Sequence, residues 1–130
     1  LRRLHREACG HALAPRRAGA AGEPFAPLPR PASAILTGDF NFDAASAEYR
    51  RITEEIGDGV PGLIDAWTLA HPGQSHLPTA GVHENSWAER PLCCDFVFVS
   101  ADLAPRVKDV AVNAQTRASD HQPVLVVLED

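Results

Sequence analysis

The sequence predicts an α/β fold, and three observations carry that prediction. Short apolar runs suited to strands stand at Ala34–Leu36, Asp95–Val99 and Val124–Leu128, bounded by polar or turn-forming residues. Between the first two, Ala45, Tyr49, Ile52 and Ile56 recur at the spacing of a helix that lays one face on a sheet. The third observation is chemical: Asp39 with Asn41, Asp95, and Asp120 with His121 mark the ends of the three apolar runs. With 130 residues, 45% of them hydrophobic, the chain fits one domain and can bury a core.

Leu1 to Ala14 sets Arg2, Arg3, Arg6 and Glu7 around Leu4, Ala8 and Leu13, a short helical pattern without a start signal. The pairs Arg2-Arg3 and Arg16-Arg17 read as a solvated face in preference to a phosphate contact. Prolines at 15, 24, 27, 29 and 31 remove donors and fix φ, so the stretch to Pro31 is expected to be a long surface loop. The run from Ala34 to Leu36 then suits a strand buried on both faces. At its end Gly38 admits close approach by a backbone or ligand. Extended geometry there projects Asp39 and Asn41 together, with Phe40 opposite.

The helix that follows is expected to take Asp43 as its N-cap and to stop at Gly57 or Gly59. Leu63–Trp67 suits either a strand or a helical turn, and His71-Pro72-Gly73 ends it. The polar stretch to Pro91 holds His76, Thr79, His83, Asn85 and Trp87. Loops of this kind commonly set specificity, but no role follows for these residues; Trp87 reads as cover for the core before it reads as a base-stacking residue. In Asp95–Val99, alternation puts Asp95, Val97 and Val99 on one face and Phe96 and Phe98 on the other. A carboxylate on an apolar strand face costs several kcal/mol unless it finds a donor, so Asp95 requires a partner. A turn and a strand carrying Val107, Val110 and Val112 come next, and Pro123 stands at the entrance of the last strand, where no donor is needed.

No run approaches the ~18 apolar residues of a membrane span. The net charge of -5 gives no general attraction to nucleic acid, so a polyanion would need a local basic patch or a bound cation. Three cysteines, two of them adjacent (Cys93, Cys94), make a poor disulfide framework and favour a reducing, cytoplasmic compartment. A zinc site built from Cys93, Cys94, His71, His76 and His83 has no supporting C-x-x-C or H-x-x-x-H spacing. No signal peptide is visible in these residues and there is no methionine, and the chain opens in what reads as the middle of a helix, as a piece of a longer protein would.

A histidine hydrogen-bonded to a carboxylate is held in one tautomer with its charged form stabilised, which suits His121 to acid–base work or phosphate binding. A second carboxylate and an amide can orient a water and a cation. Each residue alone also has a plain structural reading; their common placement at strand ends is what suggests a site.

Gly38-Asp39-Phe40-Asn41, Cys94-Asp95-Phe96-Val97-Phe98-Val99-Ser100 and Ser119-Asp120-His121-Gln122-Pro123-Val124 resemble, in order and rough spacing, motifs of the endonuclease/exonuclease/phosphatase superfamily. That superfamily includes deoxyribonuclease I-like enzymes, abasic-site endonucleases and inositol-polyphosphate phosphatases. The resemblance covers about residues 34 to 130. It implies a two-sheet α/β sandwich, mostly antiparallel with flanking helices, and Mg2+-dependent (or Mn2+-dependent) cleavage of phosphate esters, nucleic acid among them. It divides the chain into a helix tail and Pro/Ala-rich loop, 1–33, and the C-terminal half of such a domain, 34–130.

By the same resemblance Asp39, also a metal ligand, positions or deprotonates the attacking water, Asn41 holds the scissile phosphate, His121 binds it and stabilises the transition state, Asp95 orients His121, and Asp120 assists the metal or orders the site. Two departures stand out. The superfamily usually reads Arg-Ile-Asp-Tyr around Asp95, where this chain has Cys94 and Phe96 as neighbours. The family's first half is also missing, including its main metal-ligating glutamate; Glu7 and Glu23 lie in a helix tail and a loop. The resemblance therefore implies a main carboxylate ligand outside this chain, a missing N-terminal half as partner, and a fragment inactive by itself. It also implies an apolar face left open along Val97, Val99 and Val124–Leu128. Two other readings stand beside it: a non-catalytic binding module, and a plain α/β domain in which Asp95 and His121 lie far apart.

Overall fold

A computed structural model of the chain describes residues 1–13, 31–57, 59–83 and 90–130. The expected proline-rich loop, apart from Pro31, and the residues Asn85 and Trp87 lie outside the described residues. Helix α1 (Arg2–Leu13) is followed by strand β1 (Ile35–Asp39), helix α2 (Ala47–Thr53), strand β2 (Ile64–Asp65), helix α3 (Ala66–Ala70) and strand β3 (Asp95–Val99). A single 3-10 turn, Ala104–Arg106, leads to β4 (Val107–Val112), and β5 (Val124–Leu128) ends the fold.

The strands form two antiparallel sheets, one of order β1-β3-β2 and one pairing β4 with β5. This mixed α/β arrangement is consistent with part of a deoxyribonuclease I-like fold. Strand β3 is central, and its alternation does what the sequence predicts. Phe96 and Phe98 pack with Leu63 against Phe40, Phe42, Tyr49 and Ile52, whereas Val97 turns to a second cluster around Ala66, Trp67 and Val110. The aromatic rings meet edge-on and stacked, with Phe40 and Phe98 centroids 5.3 Å apart, a spacing at which ring quadrupoles attract. In β4, Val107 and Val110 are three residues apart yet share this cluster because the register shifts between Val107 and Asp109; an extra residue in a bulge restores the facing.

Several expectations are corrected. β1 was expected to be buried on both faces, but it is an edge strand with Ile35 52% exposed. α2 takes Ser46 as its N-cap, the hydroxyl accepting from the Tyr49 N–H, while Asp43 Oδ1 accepts from the Ala45 N–H in the turn before it. The helix stops at Thr53, because Glu54 is extended (ψ 151°), well ahead of the glycines. Gly57 and Gly59, at φ 97° and 72°, instead shape a turn closed by the Ile56 N–H on Val60 O. Leu63–Trp67 is both of its alternatives in succession, strand then helix, with Asp65 at the junction. Arg2 donates to the carbonyls of Arg51 and Glu55 and so docks α1 on the end of α2; Arg3 pairs with Glu7 in solvent.

The expected open face is present in part. Val99 is fully buried, since β3 is flanked on both sides, but Leu125 and Val127 are 63% and 43% exposed. Ile35, Val97, Val124, Val126 and Leu128 line an open groove of about 230 Å³ between the two sheets.

Asp65, which sequence reasoning passed over, is the main polar anchor of this core. Its carboxylate is 2% exposed; Oδ1 caps α3 by accepting from the Trp67 N–H at 2.8 Å, and Oδ2 accepts from Tyr49 Oη at 2.9 Å and His76 Nε2 at 2.7 Å. Burial first, then the Asp65 charge, holds the Tyr49 hydroxyl firmly protonated, as a donor must be. Asp65→Ala strands two buried donors and removes a cap, so it is expected to destabilise the fold by about 3 kcal/mol. Tyr49→Phe removes one donor and is expected to cost about 1 kcal/mol. Urea unfolding of the two variants checks the ranking.

Candidate active site

Asp39 and Asp95 are direct partners in the β1–β3 register, which sets two carboxylates side by side at one end of the sheet. The register continues one step further, the Phe40 N–H donating to Cys94 O at 2.8 Å. The chain then turns at Asn41, whose φ of 54° lies in the left-handed region, a conformation asparagine tolerates better than most residues. Asp39 Oδ1 stabilises that turn by accepting from the Asn41 N–H at 2.9 Å. The simple expectation that Asp39 and Asn41 project together from an extended strand is therefore replaced by a turn that folds Asn41 back. Asn41 lines a cleft of about 400 Å³ together with Leu92, Cys94, Asp120 and His121.

His121 belongs to the other sheet's end, and a short segment ties it in. Ala80 bridges to Leu92 on one side and to His121 on the other. Thr79 O accepts from the Gln122 N–H at 2.6 Å, and Asp120 O accepts from the Gly81 N–H at 3.2 Å. Ser119 Oγ accepts from the His121 N–H at 3.1 Å and closes the turn ahead of the histidine. Thr79 itself joins the site: its hydroxyl donates to Asp95 Oδ2 at 2.6 Å and accepts from the N–H groups of Cys94 and Asp95 at 3.2 and 3.1 Å. The strand end carrying Asp95 and the turn carrying His121 are thus held by one fully buried threonine.

His121 Nδ1–H donates to Asp95 Oδ2 at 2.8 Å. This bond supplies the partner Asp95 requires and rules out the reading in which the two residues are remote. It is also the first cause of a raised His121 pKa; partial burial opposes it, and the charges of Asp95, Asp39 and Asp120 add to it. The cationic form of His121 is therefore favoured. Stability drawn from this pair is fully present below the unfolded imidazole value of about 6.5 and is lost as pH rises through the higher folded value. An NMR titration is expected to place His121 above an ordinary histidine, and Asp95→Asn to lower it.

Of the five residues expected at the site, Asp95 and His121 are in contact, Asp39 lies beside them, and Asn41 and Asp120 line the same cleft as His121. Among the described residues, one group of donors comes close enough to share an ion: Asp39, Cys94 and His121, with ligand atoms within 4.8 Å of one another. Asp120 stands outside that group, its carboxylate accepting from Ser119 Oγ at 3.3 Å. The histidines of the spacing-based zinc reading do not converge: His71 bonds Val110 O, His76 bonds Asp65 and His83 bonds Ala114 O.

No helix among the described residues is long and apolar enough to cross a membrane. A family model described as the endonuclease/exonuclease/phosphatase family matches residues 5–121. The match starts earlier than the three motifs and ends on His121. No curated protein and no solved structure gives a significant match. A match over most of the chain means that this chain belongs to the endonuclease/exonuclease/phosphatase family.

Proposed function

We propose that this chain supplies the Asp/Asn and Asp–His part of a site that hydrolyses phosphate esters with Mg2+ or Mn2+, completed by the other half of the domain. Family members are generally hydrolases and typically depend on a divalent metal. The single observation that carries the reading is the 2.8 Å bond from His121 to Asp95 at the mouth of a cleft shared with Asn41. Mg2+ commonly takes one or two carboxylates and leaves its other positions to water and substrate phosphate. Asp39 and Asp120 are the carboxylates this chain would offer the ion, with the main carboxylate coming from outside this chain. Once bound, the ion supplies charge neutralisation at the phosphoryl oxygens.

The chain's own residues do the rest. Asp39 accepts the proton of the attacking water, or orients that water. The Asn41 side chain, in the lining of the cleft, holds a phosphoryl oxygen. His121, protonated because Asp95 braces Nδ1, presents Nε2–H to the charge that develops in the transition state. The open groove along Val124, Val126 and Leu128, and the exposed Leu125 and Val127 on the other face of β5, support the view that further chain packs on this sheet. The test is metal-dependent turnover. The complete domain is expected to hydrolyse bis(p-nitrophenyl) phosphate with Mg2+ or Mn2+ and to stop in EDTA, while the 130-residue chain shows no turnover. Turnover that survives exhaustive chelation would refute the metal-dependent reading.

A second reading, a non-catalytic binding member, is favoured by the Cys94 and Phe96 replacements beside Asp95. A complete domain that binds a phosphodiester without cleaving it would select that reading.

A further inference from the structure

We infer that Asp39, Cys94 and His121 form a site for a thiophilic divalent ion, Zn2+ above all, with Cys94 and His121 drawn from the lining of the same cleft. One carboxylate oxygen, one sulfur and one imidazole nitrogen lie within 4.8 Å of one another. Three protein ligands with one position open to solvent is a common arrangement for zinc. The donor types matter more than the count, because thiolate and imidazole select zinc over Mg2+, which prefers oxygen.

The site is also built, in the sense that its ligands are held from behind. Asp95 accepts from His121 Nδ1 at 2.8 Å, which fixes the ring; this carboxylate–histidine pairing is the usual outer support of a zinc ligand. Cys94 is 3% exposed and is fixed by its backbone, the N–H donating to Thr79 Oγ1 and the carbonyl accepting from the Phe40 N–H. Its Sγ donates to Asp95 Oδ2 at 3.5 Å. On binding, that thiol proton passes to solvent and a sulfur–zinc bond forms, with no change of oxidation state. The neighbouring Cys93 points elsewhere, toward Asp95 O at 3.8 Å.

Two of these ligands, Asp39 and His121, are the groups assigned to hydrolysis. Zinc in this site therefore competes with Mg2+-dependent turnover, and this consequence alone rests on the proposed function. Cys94 has no part in hydrolysis, so it separates the two roles. Cys9, 3.8 Å from His5 on α1, offers only a donor pair and is removed as a control.

The experiment is a Co2+ titration of the 130-residue chain, read by the thiolate-to-cobalt charge-transfer band, followed by displacement with Zn2+. The band is expected in the parent chain, in Cys9→Ser and in Cys93→Ser, and is expected to vanish in Cys94→Ser. Zinc affinity in Cys94→Ser should fall by at least about 100-fold, since losing an outer-shell partner alone costs about 10–100-fold. No band in the parent chain, or an undiminished band in Cys94→Ser, overturns the site. In the complete domain, zinc inhibition of Mg2+-dependent turnover, read within each variant as the ratio of turnover with and without zinc, should be relieved by Cys94→Ser. Inhibition that Cys94→Ser leaves unchanged overturns the competition. A band in a domain that shows no turnover supports the metal site and counts against the phosphoesterase reading alone.

Discussion

Changing His121 to alanine in the complete domain is expected to lower phosphoester turnover by about 10³-fold, the range of losing a charged donor to the transition state in a partly desolvated site. KM should move far less, because the imidazolium meets charge that grows only as the bond breaks. Asp95→Asn is expected to fall between the parent and His121→Ala. The amide still accepts from Nδ1–H, but it no longer raises the imidazole pKa, so activity is expected to fall away at lower pH than in the parent. Combining the two substitutions should cost little more than His121→Ala alone, since Asp95 acts through the ring it orients. Kinetics of the three variants across pH check this. Additive losses would place Asp95 in contact with substrate and take away its orienting role.

Asp39→Asn is expected to be more damaging, about 10⁴-fold, because it removes both a cation ligand and the group that handles the water's proton. The substitution is informative because it should leave the fold alone. Asp39 Oδ1 accepts from the Asn41 N–H, and an amide oxygen accepts the same bond, so the left-handed turn at Asn41 keeps its support. The side chain is exposed and sits at a strand end, where loss of one charge costs little stability. Equal unfolding midpoints with a four-decade difference in turnover is the expected pair of results. Near-parent turnover would remove Asp39 from the chemistry.

Much of this arrangement is legible in the sequence because its physics is local. Alternation in Asp95–Val99 divides its residues between the two apolar clusters, and the carboxylate at the head of that strand demands a donor that proves to be His121. The same demand applies to Asp65, embedded in Leu-Ile-Asp-Ala-Trp, and would have marked it; the shortness of a two-residue strand leading directly into a helix hid the pattern. Thr79 is harder. It lies in a segment with no periodicity, and its importance comes from joining Leu92 and Gln122 through its backbone and Asp95 through its hydroxyl, relations made only by tertiary pairing. The start of α2 was open for a simpler reason: Asp43 and Ser46 are both good caps three residues apart, and the backbone uses one for the turn and the other for the helix. Cys94 illustrates the opposite limit. Cysteine–histidine spacing argued against zinc, while the fold assembles a thiol, an imidazole and a carboxylate from three separate segments.

The whole reading requires that the imidazole of His121 meet a phosphoryl group beside Asp39. Long-range 1H–15N NMR of the histidine rings, recorded on the 130-residue chain as inorganic phosphate is added at a fixed pH with Mg2+ present, observes that meeting. Nε2 of His121 is expected to shift in a saturable way, while His71, His76 and His83 stay still and Asp39→Asn weakens the response. An unmoved His121, at phosphate concentrations that shift the other rings or none, would contradict it.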